Sequence, residues 1–376
     1  MGQLEPGVDR PSTQGGREAR VEPELDSVPT AMISLPGPPF GVVTTKDGHW
    51  SFVSLPDEIA VISTREFVPD LARLIPVPGS SPPLGETLTA DGAHLLAAWG
   101  SGALVISVAR ALDGSSDPVL GALSVPGAES AAERSAVQVA TSRDDSFAFV
   151  TREHSDDVAI FDLRAALASD LQTSGFIGTI PMGRRPVGMA VSPDGRWLYA
   201  TSQLPAAARS ENELGILTVV DLRIAESQPA KSVVAIAEAG GSPVRVAVSL
   251  DGRIVWVTAR GSNDLLAFSA SRLLNEQEDA LVAVVRTGEA PVGVVLVDHG
   301  RRVVVANSNR FGAEGAKASL SVIDAATEGE GRPALLGSIR TGGFPREFSL
   351  SPSGRTLLVT NALSCELQAV DVTALP

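Results

Sequence analysis

The sequence predicts an all-β fold: a seven-bladed β-propeller of four-stranded antiparallel blades, its ring closed by an N-terminal strand that completes the last blade. Three observations carry this. A short turn phrase recurs seven times, strand-like runs flank each copy, and the last copy lacks a strand of a kind that stands unclaimed near the N-terminus.

The turn phrase is clearest in "VSPDGRWLYATS" (191–202), "VSLDGRIVWVTA" (248–259) and "LSPSGRTLLVTN" (350–361). Its seven turns are Asp47-Gly48, Asp91-Gly92, Asp144-Asp145, Asp194-Gly195, Asp251-Gly252, Asp298-His299-Gly300 and Ser353-Gly354. They recur about every 50 residues, a period at which β-rich repeats form propellers. Asp-Gly between two β-rich runs is a hairpin signal, because both residues tolerate the positive φ of a tight turn.

First strands such as "VGMAVS" (187–192) and "VRVAVS" (244–249) precede the turns. Second strands such as "WLYATS" (197–202) and "IVWVTA" (254–259) follow them. Third strands include "VAIFDL" (158–163), "ILTVVDL" (216–222), "LLAFSA" (265–270), "LSVIDA" (320–325) and "LQAVDV" (367–372). Fourth strands include "FIGTIPMG" (176–183), "VVAIAEAG" (233–240), "LVAVVRTG" (281–288) and "LLGSIRTG" (335–342). The seventh repeat ends after three strands, and "AMISLPG" (31–37) has the fourth-strand pattern. Pairing the two removes an exposed sheet edge.

Composition agrees. A chain of 376 residues is long for one ordinary core but suits a repeat ring, and 44% hydrophobic residues suffice for a packed interior. Residues 1–30 are polar and rich in Pro, Gly and charge, so a disordered leader is expected there and the propeller over 31–376. That leader has no apolar segment of the signal-peptide kind, and no run reaches the roughly 18 apolar residues of a membrane helix. A cytoplasmic monomer is the default expectation, or a secreted or periplasmic one should the N-terminus be incomplete. A net charge of −14 disfavours nucleic acid as a partner. The single cysteine, Cys365, excludes an internal disulfide, and no His/Cys spacing suits zinc, so no metal and no cofactor are expected. The adjacent Asp156 and Asp157 lack the further ligands calcium needs. A Gly-x-Ser-x-Gly elbow is absent, and "GEGRPA" (329–334) falls in an outer loop unsuited to a dinucleotide.

The Pro-x-Gly phrase, "VSPDGRWLYATS" and "LTVVDL" resemble the YVTN-type β-propeller repeat over residues 31–376. The group includes YncE-like proteins and lactonase-like propellers related to bacterial 6-phosphogluconolactonase and fungal muconate-lactonizing enzymes. The resemblance implies a small-molecule site and lactone hydrolysis or formation.

Topology places the Asp-Gly turns on one face, here called lower. The second-to-third-strand loops and the blade links lie on the opposite, upper face, where propellers usually bind ligands. His49, His94 and His299 belong to lower turns, whereas His154 in "TREHSDD" (151–157) is on an upper loop and is the candidate general base. First strands begin Pro-x-Gly at Pro39, Pro186 and Pro291, but two blades read Pro243-Val244-Arg245 and Pro345-Arg346-Glu347. A charge at the channel mouth in place of glycine needs a partner. With Arg152, Arg185, Arg260 and Arg310 on upper loops, Arg245 and Arg346 could hold a carboxylate or phosphate through their guanidinium forks. The bland alternative is that Arg346 and Glu347 join neighbouring blades. Trp99, Asn263, Asn307, Asn309 and Asn361, also on the upper face, could orient a substrate, though Asn is equally a turn residue. Long upper loops span 203–215 and 307–319.

Two functions follow. In the lactonase-like reading an organic acid or lactone sits at the upper mouth, held by Arg245, Arg346 and Arg260. His154 or Glu347 then moves the proton and arginine stabilises the oxyanion. In the other reading the propeller is a non-catalytic scaffold for a ligand or protein partner.

Overall fold

The computed structural model describes residues 23–376 apart from 80, 129, 131, 313–316 and 326–331. Seven four-stranded antiparallel sheets form a seven-bladed propeller, six of them with their strands in sequence order from the channel outward. Blades 1 to 6 span residues 42–76, 86–123, 136–181, 184–238, 243–286 and 291–340. Blade 7 combines Pro345–Leu350, Thr356–Asn361 and Glu366–Asp371 with the N-terminal strand Thr30–Ser34. That strand pairs with the last one, Thr30 opposite Val370, and so closes the ring.

The hairpin phrase works through one hydroxyl. Thr45, Thr89, Ser142, Ser192 and Ser249 each donate to the turn aspartate two residues on, at 2.5–2.8 Å. The same oxygen accepts the N–H that opens the second strand, as from Trp197 to Ser192 Oγ at 2.9 Å. Accepting hydrogen bonds favours the charged aspartate. Bonds from Ser146 and Ser142 accordingly hold Asp144 at about 2.

Between the third and outermost strands of blades 2 to 5 lie short helices, Val108–Asp113, Leu163–Ala168, Leu222–Ala225 and Ala270–Asn275, which the sequence reading passes over. Asp162 and Asp221 end their strands and cap the next helix, accepting from Ala165 N at 2.7 Å and Arg223 N at 3.0 Å. Third strands therefore stop one residue sooner than their apolar runs.

Each blade buries its faces against its neighbours, as where Tyr199 and Leu217 of blade 4 pack with Val255 and Phe268 of blade 5. Near the channel a second device joins blades. Ser54, Thr201, Thr258 and Thr360 donate from the second strand to the carbonyl of the middle Pro-x-Gly residue in the next blade, at 2.6–2.8 Å. Glycine follows that middle residue because backbones nearly touch there. A Cβ on Gly188 would meet Val244 O at 2.0 Å, and one on Gly293 would meet Arg346 O at 2.2 Å.

Residues 1–22 of the proposed leader lie outside the described residues. Pro23 O accepts from Ser338 N at 2.7 Å and Leu25 N donates to Ser338 O at 2.8 Å, a parallel bridge along the outer edge of blade 6. Val28 is buried in the core between blades 6 and 7.

Candidate functional site at the upper channel mouth

Aligning the seven first strands gives a ring of middle residues: Phe40, Leu84, Val137, Val187, Val244, Val292 and Arg346. Phe40 and the four valines pack on one another, so the channel is plugged by apolar side chains. The seventh member is an arginine. One position further along, the ring reads Gly41, Gly85, Gln138, Gly188, Arg245, Gly293 and Glu347. Glycines leave room for the larger residues. Gln138 Oε1 accepts from Met189 N in blade 4 at 2.7 Å, and Arg245 reaches Val187 O there at 2.5 Å.

Arg245, only 4% exposed, forms an ion pair with Glu347, Nε to Oε1 2.6 Å. A buried guanidinium needs such partners, since charge without compensation is costly in a low-dielectric interior. Arg346 has no such arrangement. Its Nε is buried without a hydrogen-bond partner. Its guanidinium carbon lies 3.9 Å from the Phe40 ring centroid and 5.4 Å from that of Phe344. Burial first, and then the charge of Arg245, push its pKa down to about 9, with Glu347 opposing and Arg310 and Arg260 adding. Arg346 is thus a cation at neutral pH, set among three others and one carboxylate.

The remaining candidates divide. Arg310 is exposed and lies 6.0 Å from the Phe344 ring. Arg260 donates to Ser242 Oγ at 3.0 Å and Gln203 Oε1 at 3.3 Å. Arg152 is buried in a fork on Asp157, Nε to Oδ1 2.7 Å, and Arg185 pairs with Glu211 of the 203–215 loop at 2.9 Å. His154 is exposed, and its backbone N–H donates to Ser135 Oγ at 3.0 Å. Trp99 packs beside Gly79, its indole N–H buried without a partner. Asn307 is buried, giving its amide to Ser319 and Ser321 at 3.0 and 2.8 Å. Asn263 accepts from Ala290 N at 2.8 Å, Asn309 N donates to Glu289 O at 3.1 Å, and Asn361 accepts from Thr341 Oγ1 at 2.8 Å. Of these eleven arginine, asparagine and tryptophan candidates, Arg245, Arg260 and Arg310 are the ones whose charge is felt at Arg346.

Residues outside those candidates also shape the upper face. Arg185, Ser242, Ala290 and Phe344, each just before its blade's proline, have φ of +49° to +57°. Non-glycine residues adopt this left-handed conformation at a cost. Glu289 is 2% exposed, its Oε1 accepting from Phe311 N at 3.1 Å while Oε2 is buried without a partner. Burial raises its pKa. The sequence offered one readable signal, that the ring position occupied by Arg346 is apolar in the other six blades.

Two open grooves lie elsewhere. One of about 530 Å³ on the lower face, between blades 7 and 1, is lined by Asp47, His49, Arg65, Phe67 and Arg355. The other, about 640 Å³ at the rim of blades 1 and 2, is lined by Arg73, Pro76, Gly114 and Val119. Among the described residues no helix is long and apolar enough to cross a membrane.

The fold is that of a seven-bladed β-propeller, with Arg245, Arg260, Arg310 and Arg346 gathered at its upper mouth. No protein-family model matches the chain, and no curated protein matches it. Among solved structures it is similar to a chain of Kuenenia stuttgartiensis hydrazine synthase, at 15% identity and a TM-score of 0.68, over 91% of this chain and 97% of that one. It is also similar to a chain in the crystal structure of a mitotic checkpoint complex, at 14% identity and a TM-score of 0.69, over 97% of both. At these identities the likeness carries the fold alone.

Proposed function

We propose that the propeller binds a small organic anion at its upper mouth, with Arg346 as the principal receptor and Arg310 and Arg260 beside it. The observation that carries this reading is a half-buried guanidinium whose Nε is buried without a hydrogen-bond partner, at a position where six blades supply an apolar residue. A bound carboxylate would give Arg346 the charge partner that Glu347 already gives Arg245. Glu347 and Val187 hold Arg245 in place beside Arg346. Lactone hydrolysis or formation at this mouth would use Arg346 to stabilise the oxyanion and His154 or Glu347 to move the proton.

Replacing Arg346 with an apolar residue tests the reading, because it matches the other six blades. The Arg346→Met protein should unfold at higher denaturant, because the change removes a guanidinium whose Nε is buried without a partner. It should also lose all binding of organic anions in calorimetric titration. A variant that binds as wild type removes the reading. Turnover is tested separately by ring-opening assays on lactones.

A second reading, a scaffold for a protein partner, draws on the rim. Val234 and Ile236 on the outermost strand of blade 4, with Leu281, Val282 and Val284 on that of blade 5, are five of the eleven large apolar residues exposed among those described. The neighbouring edge of blade 6 is already extended by Pro23–Leu25, so an extended partner segment could add to these edges likewise. Its test is whether Ile236→Lys with Val284→Lys abolishes co-purification of one identified partner.

A further inference from the structure

Resting on the anion-binding reading, we infer that the mouth selects aromatic carboxylates over polyhydroxylated acids and over phosphate, and that Phe344 with Phe40 sets this preference. The guanidinium of Arg346 is flanked by both rings, at 3.9 and 5.4 Å. Guanidinium donors point outward in the plane of the group, which matches the two coplanar oxygens of a carboxylate. A tetrahedral phosphate meets that plane less well and loses more hydration on entering an apolar ring.

The surroundings reject hydroxyls on the same ground. Val137, Val187, Val244 and Val292 pack with Phe40 to form the plug. Hydroxyl groups pressed onto that surface would lose water and gain no partner. A flat aromatic body would keep contact with the valines and could stack beside the phenylalanines.

Backbone strain is a second observation at Phe344. Its φ is +57°, a conformation shared at this position by Arg185, Ser242 and Ala290, and Phe344 is the one aromatic ring among the four. A bulky ring held in this conformation persists only where its surroundings fix it, and such residues gather at ligand sites. Phe344 also reaches the exposed Arg310, which lies 6.0 Å from its ring. The ring therefore spaces Arg310 and Arg346 and presents an apolar wall between them.

Calorimetric titration at neutral pH and low ionic strength, with benzoate, gluconate and inorganic phosphate, tests this on the wild type, Phe344→Gly and Arg346→Met. The wild type should bind benzoate at least about tenfold tighter than gluconate or phosphate, a difference an apolar pocket readily generates. Phe344→Gly should erase that preference while still binding all three. Phe344→Asn, a second residue the left-handed backbone accepts, should do the same, and thermal unfolding reports whether both variants are folded. Gluconate or phosphate binding as tightly as benzoate, or a preference that survives both Phe344 substitutions, overturns the selectivity and leaves the anion site standing. Failure of all three probes to bind the folded wild type overturns the anion site itself.

Discussion

Arg245 of blade 5 and Glu347 of blade 7 meet across blade 6, Nε to Oε1 2.6 Å, where the intervening ring position is Gly293. The pair thus links two blades that are not neighbours. Removing one partner strands a buried charge. Glu347→Ala should therefore lower unfolding free energy by about 3–5 kcal/mol in urea titration, as for other broken buried pairs. Arg245→Met combined with Glu347→Leu should recover most of that loss. A single substitution costing under 1 kcal/mol would mean that water, rather than Glu347, solvates Arg245.

The inter-blade hydroxyls make a sharper test because the change is nearly isosteric. Thr258→Val keeps the shape but leaves Val292 O and Arg245 N without their partner at 2.7 and 3.0 Å. Unsatisfied buried polar groups cost about 1–3 kcal/mol, so the urea midpoint should fall accordingly. Thr258→Ser should restore it.

Gly188 carries a steric prediction. An added methyl would meet Val244 O at 2.0 Å, and that oxygen is backbone. Gly188→Ala should cost at least the roughly 1–3 kcal/mol typical of overpacking, seen as a lower melting temperature. An unchanged melting temperature would show that blades 4 and 5 can move apart freely.

Two kinds of carboxylate give opposite pH trends. Ser146 and Ser142 hold Asp144 at about 2, below its value in an unfolded chain. Its contribution is present above about pH 4 and lost as pH falls through 2, the expected sense for a depressed carboxylate. Glu86 behaves in reverse. Burial raises its pKa well above the usual range, the Ser54 N–H offsets this only in part, and neither oxygen has a well-formed hydrogen bond. A raised folded pKa means stability declines as pH climbs from the unfolded value of about 4.3. Glu86→Leu should therefore stabilise the protein at pH 7 and 8 more than at pH 4, read from denaturation midpoints across that range. Equal effects at all three values would refute this.

The strands were legible because hairpin chemistry repeats in the sequence. Ile254–Ala259 of blade 5 coincides with its apolar run. The short helices were not, since Asp162 and Asp221 read as strand ends while serving as caps. At the site, Arg245 and Glu347 stand out as breaks in Pro-x-Gly, and Arg346 as the one charged residue at the middle position. Which arginine is paired was illegible, because it depends on Gly293 opening a path between blades 5 and 7. Phe344 was invisible for a different reason: a left-handed φ leaves no mark in a single sequence. Glu86 could have been found, as the corresponding residues in other blades include Val42, Val139, Met189 and Val246.

The pairing of Thr30 with Val370 also governs the order of events during synthesis. Blades 1 to 6 are contiguous in the chain and can form as each emerges from the ribosome. Blade 7 cannot, because its outermost strand is made near the start and its other three strands last. The N-terminal strand must wait, unpaired, until Glu366–Asp371 has been made, and the ring locks only then. Long-range pairing of this kind is intrinsically slow. Moving the chain break to the link between blades 3 and 4 by circular permutation would turn this late, long-range pairing into a local one.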